Sequence, residues 1–348
     1  MRKRIATIKD VAATANVSTA TVSNVLHGKD ALYTPATAHA VWTAVRELGY
    51  RPNRIARSLV RRRTETLGVV VEKPHGRLTS NTYMIALLDG FLEYADNAGF
   101  QVKLFSMFMK DPHVALAQLD DGSVDGLALF APPEDSPVLA WARTSHPPIV
   151  VAGSVPPDSQ LPSIALDDRE AAYQAVRWLI AQGHRQIGLL TGPREQWSAL
   201  RREEGYRQAL QEAGLDYRPE WRCVGGYTAE SAEAGAAELI SAPLPPTAIL
   251  CWNDWIALGA LKTLRKHGLR VPEDISLLSF DDIEPGHWVT PPLTTVQQPT
   301  HAMGSKAAEI LIRQIQTGKR EEGVFLFTGT LVVRQSVAPP KGGTQTRL

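Results

Sequence analysis

Only two of the 348 residues are cysteine, Cys223 and Cys251, and they stand far apart in apolar surroundings. A single bridge and a pair of buried thiols both fit that count, the thiols suiting a reducing cytoplasm better. With no clustered histidines beside them, two cysteines argue against a structural zinc site. Long apolar runs are missing too. Nothing approaches the roughly eighteen consecutive apolar residues of a membrane-spanning helix, so no membrane partner is expected. The basic start, MRKRIATIKD, leads into neither an apolar stretch nor a small-residue cleavage site, which argues against a secretory signal. Gly-x-Ser-x-Gly, Walker A and His-Glu-x-x-His are absent, and Gly188 with Gly225-Gly226 makes no dinucleotide fingerprint. His184, His267 and Asp281 are too scattered to form a triad. No catalytic residue, cofactor or metal is therefore expected. The end, Ala338 to Leu348, lacks leucine heptads, so a coiled-coil tetramer is not expected and a homodimer is.

Net charge is nearly absent as well, at +1, but that balance conceals a division. Residues 1–65 carry 12 Lys+Arg against 4 Asp+Glu, a net of +8, while the rest carry 25 against 32, a net of −7. A basic head on an acidic body is the electrostatic footprint of phosphate contact.

The head supplies the strongest local pattern. Thr7-Ile8-Lys9-Asp10 fits a capping box, and Ile8, Val11, Ala12 and Ala15 follow at helical spacing. Asn16-Val17 breaks that helix, Ser18 caps a second from about Thr19 to His27, and Gly28 ends it. Two short helices across a tight turn predict a helix-turn-helix. The second helix should enter a major groove, with Thr19, Ala20, Ser23 and Asn24 outward and Val22, Val25 and Leu26 inward. Asn24 suits a bidentate contact to adenine, and Thr19 and Ala20 suit a thymine methyl. Thr34-Pro35 starts a third helix. Ala38, Val41, Trp42, Val45 and Leu48 are expected to form its apolar stripe before Gly49.

These residues resemble the DNA-binding head of the LacI/GalR (lactose-repressor/galactose-repressor) family. The resemblance rests on Thr7-Ile8-Lys9-Asp10-Val11-Ala12, Val17-Ser18, Thr21-Val22-Ser23 and Leu48-Gly49-Tyr50-Arg51-Pro52-Asn53, and is strongest toward the purine-repressor branch at TIKDVA and NVST. It places the recognition positions on Thr19, Ala20 and Asn24. Asn24 departs from the commoner Arg or His, which bears on the operator sequence rather than the binding mode. The resemblance further implies DNA contacts from Thr7, Ser18, Thr21, Ser23, His27, Tyr50, Asn53, Arg54, Ala56, Arg57 and Leu59. Asn53–Leu59 has room for about two helical turns, too few to be stable alone in water. It should order against DNA or a symmetry mate, Ala56 packing helix to helix and Leu59 wedging into the minor groove.

From Leu67 the pattern changes to short apolar runs alternating with amphipathic segments. LGVVV, QVKLF, GLALF, PIVVAG, QIGLL, AILCW and ISLLSF read as buried parallel strands. Helices are expected at Met84–Ala98, Asp168–Gln182, Ala199–Gly214, Ser231–Ser241 and Trp255–His267. Such alternation predicts an α/β body, and its length resembles two lobes of the periplasmic-binding-protein kind, parallel sheets with helices on both faces. Family landmarks continue through Val124-Asp125-Gly126, Asn253-Asp254, Phe280-Asp281-Asp282, Pro292-Leu293-Thr294-Thr295-Val296 and Val333-Arg334-Gln335-Ser336. The expected domains are a head at 1–50, a hinge and linker at 51–65, and an effector and dimerisation body at 66–337. Within the body the N-lobe takes 66–164 and 298–328, and the C-lobe 166–296 and 329–337. A disordered tail at 338–348 follows.

Ligands of two-lobed α/β folds bind between lobes at strand carboxyl ends. The family resemblance implies contacts there from Tyr83, Met84, Arg202, Tyr227 and Asp281, Arg202 as a fork for vicinal oxygens or a carboxylate, and Asn253, directly after the strand AILCW, joins them as a candidate for ligand hydroxyls. Asp254 suits either a ligand hydroxyl or a helix cap. Trp197, Trp252, Trp255 and Trp288 are candidate stacking surfaces, though packing is the commoner use of such rings. Gly153 stands where some family members carry Asp or Arg. Together these readings predict a cytoplasmic, homodimeric, ligand-responsive regulator, most simply a repressor, on a near-palindromic operator. A sugar is the expected effector, with a purine or other metabolite as the alternative. A solute-binding protein without DNA function is the other-class alternative.

Overall fold

The computed structural model describes residues 6–26, 28–51, 63–72, 81–107, 112–156 and 160–341. His27 and the hinge positions Asn53, Arg54, Ala56, Arg57 and Leu59 lie outside the described residues. The chain divides into two compact units, Met1–Thr64 and Glu65–Leu348.

Local chemistry sets the first unit. Asp10 Oδ2 accepts the Thr7 amide at 2.8 Å and Thr7 Oγ1 accepts the Asp10 amide, the reciprocal capping box that starts α1 (Ile8–Thr14). Asn16 turns the chain at φ +53, and Ser18 Oγ accepts the Thr21 amide at 3.0 Å to open α2 (Thr19–Leu26). Thr34 caps α3 (Pro35–Leu48), which Gly49 stops in the left-handed region. Each such cap is worth about 1 kcal/mol. Val11, Ala12, Val22, Val25, Val41 and Ala44 form the small core. The expected stripe of α3 needs correction: Trp42 is 46% exposed and Leu48 37%. At about 100° per residue Trp42 sits a quarter-turn off Val41, and Ala44 takes the inward place instead.

The second unit is built of two sheets. The first receives β1 (Thr66–Glu72), α4 (Thr82–Asn97), β2 (Gln101–Met107), α5 (Pro112–Leu119), β3 (Gly126–Phe130), α6 (Pro137–Thr144), β4 (Ile149–Ala152) and β5 (Ser163–Leu166). The second receives α7 (Asp168–Ala181), β6 (Ile187–Thr191), α8 (Trp197–Glu212), β7 (Arg222–Val224), α9 (Ala229–Ile240), β8 (Ala248–Cys251), α10 (Asp254–Lys266), β9 (Ser276–Asp281), α11 (Glu284–Trp288) and β10 (Thr294–Gln297). The chain then returns through α12 (Thr300–Thr317) and β11 (Val324–Phe327) before β12 (Thr330–Val332). Strand orders are β11-β5-β4-β3-β1-β2 and β12-β10-β9-β8-β6-β7, all parallel except the β10–β12 pair.

Both faces of each sheet are covered, as continuous apolar strands require. Leu67, Val69 and Val71 point into one cluster of the first sheet while Val70 points into the other. Leu190 and Cys251 point to one face of the second, Leu189 and Leu250 to the opposite face. The two cysteines are free and buried. Helices α4 and α12 press so closely that a Cβ on Gly304 would lie 1.9 Å from the Leu87 carbonyl, and one on Gly90 1.9 Å from the His301 carbonyl. The tail expected from 338 is held at its start: Ser276 Oγ donates to the Ala338 carbonyl, and the Ala338 amide donates back, each at 3.1 Å.

Candidate functional site

Each sheet reverses its strand order beside its first strand, between β1 and β3 and between β6 and β8. A crevice opens at such a point, outside the strand carboxyl ends. There Glu72 ends β1, Ala131 follows β3, Gly153 follows β4, Trp252 follows β8 and Asp281 ends β9, all lining one cavity of about 440 Å³. The N-terminal ends of α4, α8 and α10 complete its wall with Thr82, Tyr83, Met84, Ser198, Arg202, Asn253 and Trp255, joined by Asp168 and Gln298. The size suits a small molecule.

Arg202 is fixed at the centre. Its Nε donates to Asp168 Oδ1 at 2.7 Å, its Nη1 donates to the Trp252 carbonyl, and its guanidinium lies 4.0 Å from the Phe280 ring centroid. Both members of the ion pair have side chains only 6% exposed. Burial pushes the Asp168 carboxyl up, against the downward pull of Arg202. Nη2 has no protein partner among the described residues, so one edge of the fork remains for a ligand.

Asp281 closes the opposite wall at φ +113, accepting from Gln298 Nε2 at 2.6 Å. Burial, reinforced by the neighbouring Asp254 and Asp168 and opposed by Arg202, pushes it up to about 8. Asp254 resolves into a framework residue. It accepts from Ser279 Oγ, from Thr295 Oγ1 at 2.8 Å and from the Ile283 amide at 2.8 Å, three bonds within the fold to a carboxyl that burial still pushes up to about 6. Asn253 uses Oδ1 to cap α10 through the Ile256 amide at 2.8 Å, leaving its amide nitrogen for other work.

Tyr227 meets Trp252 edge-to-face with ring centroids 5.7 Å apart, and the Trp252 indole donates to Ser198 Oγ at 3.2 Å. The Tyr83 hydroxyl occupies the space a side chain at Gly153 would need, since a Cβ there would stand 2.7 Å from it. Gly153 is also at φ +83, so a larger residue would be both strained and crowded.

All six sequence-derived candidates, Tyr83, Met84, Arg202, Tyr227, Asn253 and Asp281, line this cavity. Trp252 and Trp255 line it too, whereas Trp288 is 76% exposed and Trp197 flanks Arg201 instead. Sequence reasoning passed over Asp168, Gln298, Glu72 and Thr82. Asp168 carried one usable signal, an acidic residue two positions after a strand end, and it was read only as the start of a helix.

In the head, Thr19 and Ala20 are exposed, and Ser23 and Asn24 are partly so, on the outer face of α2. Thr7, Ser18 and Thr21 are exposed or partly exposed but already share cap bonds, Ser18 Oγ standing 2.9 Å from Thr21 Oγ1. Tyr50 packs against the head core.

Residues 7–53 match the model of bacterial regulatory proteins of the lacI family, and residues 176–337 match a periplasmic binding protein-like domain. The chain is 34% identical over 337 residues to the HTH-type transcriptional repressor PurR of Aliivibrio salmonicida, covering 96% of this chain and 99% of that one. Among solved structures, a complex of the transcriptional regulator CelR with cellobiose superposes with a TM-score of 0.74 at 33% identity, covering 95% and 99% of the two chains. The lac repressor dimer bound to operator and the anti-inducer ONPF superposes with a TM-score of 0.84 at 28% identity, covering 96% and 100%.

Proposed function

The chain belongs to the LacI family of bacterial regulatory proteins, and from that premise we propose that it is a cytoplasmic, homodimeric repressor whose operator affinity is set by a sugar held between the lobes. The head reads half-sites of a near-palindrome through Thr19, Ala20 and Asn24 on α2, its positive charge supplying the phosphate attraction. Tyr83, Met84, Arg202, Tyr227, Asn253 and Asp281 bind the effector.

The observation that carries the sugar reading is the lining of the cavity. A fork already held by Asp168, a carboxyl at Asp281 and an amide at Asn253 suit vicinal hydroxyls, while Tyr227, Trp252 and Trp255 offer apolar ring surface for the faces of a pyranose. A relative solved with cellobiose has the same fold along nearly its whole length. A purine is the second reading, favoured by the Tyr227–Trp252 ring pair, which also suits a flat base.

Two measurements on the full chain test this. Thermal unfolding against a panel of cellobiose, other neutral disaccharides and nucleobases should give a rise with a sugar, since a ligand of the folded state stabilises it by RT ln(1 + [L]/Kd). A shift with nucleobases alone overturns the sugar reading. Operator selection from a randomised duplex pool should return a near-palindrome, with affinity falling steeply as salt rises. No preferred sequence at low salt overturns the reading of the head.

A further inference from the structure

Charge in the cavity is one-sided. Among the described lining residues Glu72, Asp168, Glu230 and Asp281 are acidic, and Arg202 is the sole lysine or arginine. That one cation is not waiting for an anion, because its Nε already binds Asp168 at 2.7 Å and its Nη1 the Trp252 carbonyl. From this arrangement we propose that the effector is a hydroxyl-rich molecule bearing no phosphate or carboxylate, and that Asp168 is the residue that enforces this choice by neutralising Arg202. The inference rests on the cavity being the effector site, and not on the effector being a sugar.

Donor and acceptor chemistry points the same way. An anion can only accept hydrogen bonds, so beside Glu72 and Glu230 it would set acceptor against acceptor. A hydroxyl both donates and accepts. It can donate to those carboxyl oxygens and accept from Nη2 of Arg202. Two neutral groups in the same wall, Thr82 Oγ1 and Trp255 Nε1, are shielded from solvent and have no hydrogen-bond partner among the described residues. They come from opposite lobes, on the first turns of α4 and α10. An unmade bond at such a group is costly.

The test is calorimetric titration of the full chain with matched pairs: cellobiose against cellobionic acid, glucose against glucose 6-phosphate, adenosine against adenosine monophosphate. The uncharged twin of whichever pair binds should bind about 100-fold more tightly, the scale set by one uncompensated charge some 6 Å from another at an effective dielectric near 20. Adenosine binding above its monophosphate would defeat the sugar reading and uphold this one. An anionic twin binding as tightly as its neutral partner overturns it. Inorganic phosphate is the second probe, decisive even if no pair binds. It should leave the thermal midpoint of the wild type unmoved and should stabilise Asp168→Asn, whose Arg202 is released. Stabilisation of the wild type by phosphate that disappears in Arg202→Met overturns the proposal.

Discussion

Replacing Asp168 by Asn keeps the shape of the side chain and removes its charge, leaving Arg202 as a buried cation without a counter-ion. Breaking a buried pair from one side costs about 3–5 kcal/mol in general. Three features of this pair reduce that figure. Arg202 keeps its bond to the Trp252 carbonyl and its place over the Phe280 ring. It also borders the cavity, where water can solvate Nη2. Finally, burial pushes the Asp168 carboxyl up against the pull of Arg202, so the ionised pair is worth less than its 2.7 Å separation alone suggests. The expected loss is therefore about 2–3 kcal/mol, a large share of the 5–15 kcal/mol typical of a folded domain. Urea unfolding followed by tryptophan fluorescence should show a lower midpoint with an unchanged slope. The double variant Asp168→Asn with Arg202→Met should recover about 2 kcal/mol relative to the sum of the single losses, because it removes the stranded charge as well. A single variant within about 0.5 kcal/mol of wild type, or a double variant whose losses simply add, would refute the description of this pair as the clamp of the cavity.

Two further outcomes follow from the same geometry. Asp281 has a folded-state pKa near 8, above the usual value of an unfolded aspartate near 3.9, so the folded protein holds the extra proton. Its contribution to stability is present at low pH and declines as pH rises from about 4 to about 8. The thermal midpoint of ligand-free wild type should accordingly fall between pH 5 and 8.5 by more than that of Asp281→Asn, and parallel profiles would contradict the assignment. Gly304→Ala places a Cβ 1.9 Å from the Leu87 carbonyl, forcing α4 and α12 apart. It should lower stability by about 1–3 kcal/mol, whereas the same change at a helix position with open space would raise it slightly, and urea unfolding distinguishes the two.

The parts of the molecule legible in advance are those whose physics is local. Caps at Thr7, Ser18 and Thr34 act over three residues, and glycines at 28 and 49 end helices by their own backbone freedom, so the head could be read as written. Trp42 failed because hydrophobicity was counted without its angle on the helix. Strands buried on both faces announced themselves as apolar runs, while β11, with Val324 and Leu326 half exposed, did not. The longest helix, α12, escaped for a compound reason. It has no side-chain cap at Pro299, and Gly304 in its first turns looks like a breaker although its role is to let α4 approach.

The same distinction separates the cavity residues that were found from those that were missed. Arg202, Asn253 and Asp281 follow strand ends or match a motif, and a strand end is visible in sequence. Asp168 and Gln298 sit at two places where the chain passes between the sheets, after β5 and after β10. Each has a sufficient local explanation, an acid complementing a helix dipole and a polar residue in a linker, so nothing local marks it out. Their partners lie far along the chain: Arg202 for Asp168, Asp281 for Gln298. Both bonds thus tie a crossing to the cavity wall of the second sheet. A molecule that contacts Arg202 or Asp281 therefore meets the partners of two of the three crossings between the sheets, the third running from β11 to β12. Whatever a bound molecule does at these two bonds, it can bias the arrangement of the lobes only by its difference in affinity for the arrangements.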